Sequence, residues 1–258
     1  MVDKLFEGMK YQYLLQQLIL RDIKVRYRRS VLGLLWTVLN PLLMMGIMTF
    51  VFSHLFSIDI ENYPVYFLSG NILFGFFSEA TTQALWAIIG NNALIKKIYI
   101  PQYLFPLSRV MSSLVNLFFS LIALLIVMVI TGAEFHWTIL FLWVAIFFLF
   151  LFAIGVGLVL SAYTVFYRDI AHLYGVLILA WTYMTPLFYP IDIIPLEYRW
   201  VMGLNPMYRF IDFFRMLIIN GSIPSYIDIL VIMCLGVGVF IVGFKVFYNK
   251  QKKFILYL

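Results

Sequence analysis

Long apolar runs, broken at intervals by proline, glycine, asparagine or charge, dominate the chain. Six runs reach the ~20 residues that a helix needs to cross hydrocarbon. They are residues 34–55, 64–88, 103–130, 137–162, 171–190 and 226–248. Ahead of the first, Tyr11, Leu15, Ile19, Ile23 and Tyr27 recur at every fourth position, with Leu14 and Leu18 beside them. Gln17, Arg21, Lys24 and Arg28 fall opposite. This spacing predicts an amphipathic helix within residues 1–30, its basic positions being Arg21, Lys24, Arg26, Arg28 and Arg29. Such a helix suits the membrane–water interface, as an anchor or as a surface that also meets a partner.

The stretch between the fifth and sixth runs is apolar but chopped by Pro190, Pro195, Pro206 and Pro224, with Gly203 and Gly221. Its longest uninterrupted piece would extend about 21 Å as a helix, too short for hydrocarbon about 30 Å thick. Two readings stand. One is a pair of short helices in 191–225 that dip into the outer leaflet and return, which irregular backbone can do only when covered by protein or beside water. The other is a hydrophobic loop packed on the bundle. The expected fold is an all-α integral membrane protein. An interface helix over 1–30 precedes a domain over 31–258 with six transmembrane helices, and two short re-entrant external helices come before the last span.

Composition strengthens the membrane reading. The chain is 258 residues, 64% hydrophobic and 12% charged, with a mean hydropathy of +0.98. A soluble domain is about a quarter charged, and no soluble fold of this size hides so much apolar surface. Basic residues give the orientation. With both termini cytoplasmic, 15 of the 18 lysines and arginines lie inside, including Lys4, Lys10, Lys96, Lys97, Arg109, Arg168, Lys245, Lys250, Lys252 and Lys253. Arg199, Arg209 and Arg215 lie outside. The net charge of +6 thus speaks for membrane orientation and not for nucleic acid. The N-terminal segment has no short apolar core with a small-residue cleavage site, so the first span is expected to direct insertion. The lone Cys234 reads as a buried small hydrophobe.

Candidate chemistry is sparse. There is no GxxxxGK[ST] phosphate loop, HExxH or GxSxG, and no Cys/His cluster, so neither a P-loop ATPase site nor a metal site is expected in this chain. His54, His136 and His172 read as interfacial polar residues. The second run carries Ser69, Asn71, Ser78, Glu79, Thr81, Thr82 and Gln83. A carboxylate in hydrocarbon is costly, so Glu79 faces the bundle or water. It is read either as lining a pathway or as fixing helix packing. Ala153, Gly157 and Ser161 form a small-residue stripe for close helix contact, within the chain or across a dimer. Tyr183, Phe188 and Tyr189 are candidates to line a passage, since aromatic faces suit sugar rings. Two polar loops, 90–102 and 165–172, face the basic side. The paired Lys96 and Lys97 of the first serve as an anchor or as a docking point for a cytosolic motor.

These motifs, in this order, carry a resemblance. RDIKVRYRRSVLGLLWTVLNP over 21–41 is similar to the opening of ABC-2 type permeases that export polysaccharides and polyol phosphates. NNALIKKIYIPQYLFPLSRV resembles that family's coupling loop, FYRDI its second cytoplasmic loop, and TPLFYPIDIIP with NPMYRFIDFFR its pair of external gate helices. The resemblance covers essentially the whole chain. It implies a homodimer in the bacterial inner membrane, served by two copies of a separate ATPase that carries the ATP and magnesium. It implies a lipid-linked glycan or teichoic-acid-like substrate, with small drugs or lipids as the alternative. Asn91, Asn92, Leu94, Lys96, Lys97, Arg168 and Asp169 would couple to the ATPase. Pro186, Pro190, Pro195, Asn205, Pro206 and Tyr208 would belong to the external gate. The Asn40-Pro41 pair would free a backbone carbonyl within the first span.

Overall fold

The computed structural model describes residues 11–28, 30–56, 60–97 and 100–258, with the side chains of Tyr27, His54 and Leu55 outside the description. Lys4, Lys10 and Arg29, counted above among the basic positions, fall outside the described residues, as do Ile98 and Tyr99 of the first polar loop.

The described elements are all helical. Helix α1 is Gln12–Tyr27, and α2 is Trp36–Thr49, entered by a 3-10 turn and continued by a π-helical turn over Phe50–Leu55. Helix α3 is Tyr63–Leu85, followed by the short α4 (Ala87–Gly90) and α5 (Asn92–Ile95). Helices α6 (Leu104–Thr131), α7 (Leu142–Thr164) and α8 (Ile170–Met184) follow. After them come α9 (Arg199–Leu204), α10 (Pro206–Ile218) and α11 (Tyr226–Lys250).

Among the described residues, four helical stretches are long and apolar enough to cross a membrane: Gly33–Ser53, Leu104–Thr131, Trp137–Thr164 and Tyr226–Leu256. The second and fifth expected spans do not meet that test, for different reasons. Helix α3 has 23 residues, yet its polar residues lower its hydropathy. Helix α8 has 15 residues and ends at Met184, not at residue 190 as expected. The reason is local: proline disfavours helical backbone in the residue before it, and Thr185, before Pro186, is extended.

Helix α3 is the hub. Phe67, Leu68, Leu73, Phe77 and Ala80 are fully buried where it meets α6, α7 and α10. Helix α7 packs on α3 through the small-residue stripe. A Cβ on Gly157 would come within 2.8 Å of the Ala84 Cβ, and Ala153 and Ser161 are fully buried. The stripe therefore serves a contact within the chain. The opposite edge of α7 meets α11 at closer range. A Cβ on Gly243 would lie 2.2 Å from the Gly155 carbonyl oxygen, and one on Gly155 would lie 2.4 Å from that of Val239. The two backbones touch, as small residues permit in membrane helices. Cys234 is exposed on α11, not buried as expected: a small apolar side chain needs no protein cover where the outside is lipid.

One end of the bundle gathers α1, α4, α5, the turn before α8 and the C-terminal residues 251–258. Arg21 bonds to Asn91 there, and Lys250 stands over the Tyr163 ring at 4.3 Å. It carries exposed Lys96, Lys97, Arg168, Lys252 and Lys253, and is called the basic end below. The far end holds α9, α10 and the loops around them.

A Gly243→Ala substitution forces the α7 and α11 backbones apart and is expected to cost about 1–3 kcal/mol. Gly238→Ala, where a Cβ meets nothing within 4 Å, should leave the melting temperature in detergent unchanged. Equal melting temperatures for the two variants would count against a glycine-dependent crossing.

Candidate functional site

Helices α1, α2, α3 and α6 surround a cavity of about 670 Å³. Its lining is rich in neutral hydrogen-bonding groups: Asn40, Asn71, Gln83, Ser113, Asn116 and Ser120, with Trp36 and Phe76 among them. Along α3 the lining runs from Gln83 near the basic end to Asn71, about 18 Å at 1.5 Å per residue.

Glu79 organises the cavity. One carboxylate oxygen, Oε1, accepts hydrogen bonds from Gln83 Nε2 (2.9 Å), Ser113 Oγ (3.0 Å) and Asn116 Nδ2 (2.9 Å), and it pairs with Arg26. Donors on α1, α3 and α6 thus converge on a single atom. Glu79 lines the cavity, and its contacts tie α1, α3 and α6 together.

Pro41 explains a second polar contact. Proline has no N–H, so the carbonyl of Thr37, four residues earlier, loses its helical partner. The Ser120 hydroxyl of α6 donates to that carbonyl at 3.2 Å. The freed carbonyl expected from the Asn-Pro pair is thus satisfied on the cavity wall.

Aromatic rings gather along α3 beyond the cavity lining. Phe188 stacks on Phe52 with centroids 6.0 Å apart and packs on Phe67 at 5.9 Å, one turn of α3 beyond Asn71. Tyr183 packs on Phe188, and the Tyr189 hydroxyl donates to the Tyr183 carbonyl. The structure therefore does not bring Tyr183, Phe188 and Tyr189 into the cavity lining with Glu79. They form an aromatic cluster on the far side of Asn71.

The other expected gate residues hold that cluster in position. Asn205 caps α10 by accepting from the backbone N–H groups of Met207 and Tyr208, and Pro206 occupies the first turn. The same Asn205 accepts from Trp181 Nε1 at 2.8 Å and donates to Thr185 Oγ1 at 3.0 Å. Tyr66 donates to the Tyr189 carbonyl at 2.9 Å. Pro190 and Pro195 each open a 3-10 turn.

Sequence reasoning places Arg215 on the exterior side but misses its structural role. Its guanidinium is buried. It donates to the carbonyls of Pro186 (2.9 Å), Tyr66 (3.1 Å) and Leu187 (3.3 Å), and it stacks 3.6 Å over the Tyr66 ring. Among the described residues it has no carboxylate within salt-bridge range. A signal was available: Arg215 lies one turn from both Ile211 and Ile218, on the apolar stripe of α10. Arg199 and Arg209 also bind backbone carbonyls, those of Ile194 and Gly203.

At the basic end the expected coupling residues divide. Lys96, Lys97, Arg168 and Asp169 are exposed, and Asn92 and Leu94 half-buried. Asn91 turns inward, 7% exposed, donating to the Ala87 carbonyl and accepting from Arg21. Helix α1 also divides. Lys24 and Arg28 are exposed, whereas Arg21 and Arg26 turn to the bundle with buried Asp22. The expected basic face thus loses Arg21 and Arg26, because the carboxylates of buried Asp22 and half-buried Glu79 pair with them. His136 packs against Gly221 and His172 is exposed, while the side chain of His54 is outside the description.

Arg215→Ala strips donors from buried carbonyls and should lower stability by about 2 kcal/mol. It should also speed proteolytic cleavage between residues 186 and 205. Cleavage at the rate of the unaltered protein would show that the guanidinium does not hold the loop.

Comparison with known proteins agrees with this geometry. The chain is 31% identical over 253 residues to an O-antigen export system permease protein RfbA of Klebsiella pneumoniae, covering 95% of this chain and 96% of that protein. It is 27% identical to the RfbA protein of Myxococcus xanthus over 98% of both chains. It is 22% identical to the polysialic acid transport protein KpsM of Escherichia coli, over 92% of this chain and 93% of that one. Residues 13–219 match the family described as ABC-2 type transporter, and the chain belongs to that family.

Proposed function

We propose that this chain is the transmembrane permease subunit of an exporter that moves a lipid-linked polysaccharide, of the O-antigen kind, or a teichoic acid from cytosol to exterior. The observation that carries the reading is the cavity beside Glu79. Its neutral amide and hydroxyl lining suits a hydroxyl-rich chain better than an apolar drug, because each buried polar group on either side must find a partner. The names of the relatives, which export O-antigen and polysialic acid, support the same class. An exporter of small drugs or lipids is the alternative.

In this reading α3 and α8 join the four apolar stretches as the second and fifth of six spans. The charge asymmetry puts the basic end and both termini in the cytosol. Helices α9 and α10 form the external gate at outer-leaflet depth. The functional unit is a homodimer, for which the exposed apolar faces of α2 and α8 offer surface: of residues 33–53 only Thr37 is buried, and Leu173, Val176 and Leu179 are exposed. Two ATPase subunits carry ATP and magnesium and dock on α5 and on the turn at Arg168 and Asp169.

Reconstitution with the partner ATPase tests the substrate class. ATP-dependent transfer of a lipid-linked glycan is expected, and Asn71→Leu should slow it by about tenfold, the equivalent of one lost hydrogen bond to a buried partner. Transport of an amphiphilic dye with no glycan transfer would favour the alternative. Replacing Lys96 and Lys97 by Glu should abolish capture of the ATPase while the melting temperature holds. Unchanged capture and export would overturn the docking surface.

A further inference from the structure

Helix α1 is fastened to three different elements within six residues. Asp22 is nearly buried, its side chain 2% exposed, and Oδ1 binds both Arg109 on α6 (3.3 Å) and Arg21 (2.9 Å). From the same point Arg21 Nη1 reaches out to Asn91 Oδ1 at 3.0 Å, between α4 and α5. That amide is not free to turn, because its Nδ2 donates to the Ala87 carbonyl at 2.7 Å. One turn further along α1, Arg26 reaches the opposite way, to Glu79 on the cavity wall.

The three ties differ in strength. The Asp22 pairs are buried on the carboxylate side, so breaking them would leave a charge without solvent or partner. The Arg26–Glu79 pair is half-wet, with 24% and 36% of the side chains exposed, and pairs of that kind contribute little net free energy. Glu79 also keeps Gln83, Ser113 and Asn116 as donors when Arg26 leaves. Its charge is then still solvated by the protein. The pair can open without stranding either member, and among the described residues Arg26 is the one on α1 that lines the cavity.

We propose that α1 is a lever with Asp22 as its fulcrum, on which displacement of Asn91 is carried through Arg21 and lifts Arg26 from Glu79, opening the polar cavity to the cytosolic water. The inference rests on the proposed ATPase docking for what displaces Asn91, but not for the latch itself. Arg21 and Arg26 are positioning residues here, and the transported polymer need not touch them.

The latch is tested on the permease alone. Gly75 lines the cavity and a Cβ there meets nothing within 4 Å, so Gly75→Cys in a Cys234→Ala background reports access. The probe is a neutral, membrane-impermeant maleimide. Glu79→Gln and Arg26→Gln should each raise the labelling rate about tenfold, as loss of a closed-state preference predicts. The exchange Arg26→Glu with Glu79→Arg should restore slow labelling. With the ATPase and a non-hydrolysable ATP analogue added, labelling of the otherwise unaltered reporter should accelerate, and Arg21→Ala should abolish that acceleration while resting labelling stays slow. Labelling indifferent to Glu79→Gln, or acceleration that survives Arg21→Ala, would overturn the lever. Failure of the functional reading would appear elsewhere, as an ATPase that is not captured or a glycan that is not moved.

Discussion

A single carboxylate oxygen holds the working part of this molecule together. Glu79 Oε1 collects Arg26 from α1, Gln83 from its own helix, and Ser113 and Asn116 from α6. A charge within an apolar bundle must be neutralised and hydrogen-bonded, or it is expelled. Meeting that demand brings three helices to one point. Gln83, Ser113 and Asn116 thus solvate one charge and also form part of the lining.

The far end obeys the same rule with the sign reversed. Arg215 is a buried cation without a carboxylate partner among the described residues. It is solvated by three carbonyls and an aromatic face. Those carbonyls belong to Tyr66 on α3 and to the turn after α8, so the cation joins α10 to both. Asn205 does similar work nearby, capping α10 while bonding to Trp181 and Thr185. The aromatic cluster beyond the cavity lining is therefore held by polar contacts to backbone, which can break and re-form without disturbing the α7–α11 glycine crossing. That division, rigid where backbones touch and adjustable where side chains bind carbonyls, fits the passage proposed above.

Between these ends, Pro41 shows how a sequence irregularity is absorbed. The Thr37 carbonyl it frees would be costly in hydrocarbon. It points instead to the cavity side, where the Ser120 hydroxyl reaches it. A helix break that reads in the sequence as a weakness becomes a polar contact between α2 and α6.

Several of these features were legible in the sequence because they depend on local chemistry. Apolar runs such as 104–131 declare a spanning helix by length and hydropathy. Pro206 after Asn205 declares a helix start. Basic residues declare one end of the bundle. Glu79 and the Asn40-Pro41 pair announce themselves as costly and therefore partnered. What the sequence could not decide is which partner each group finds. Arg21 and Arg26 read as members of one solvated basic face, yet Asp22 and Glu79, residues distant in sequence or hidden by the fold, draw them inward. Arg215 reads as a charge on the exterior side, and only the fold shows that it is buried against the carbonyls of Tyr66, Pro186 and Leu187. Tyr183, Phe188 and Tyr189 read as passage residues, and the fold groups them with Phe52 and Phe67 outside the lining that holds Glu79, with Phe188 and Tyr189 lying just past the break that Pro186 puts after α8. Spacing determines the face a residue occupies, whereas the partner that face meets is chosen by packing among helices, and only the tertiary structure holds that information.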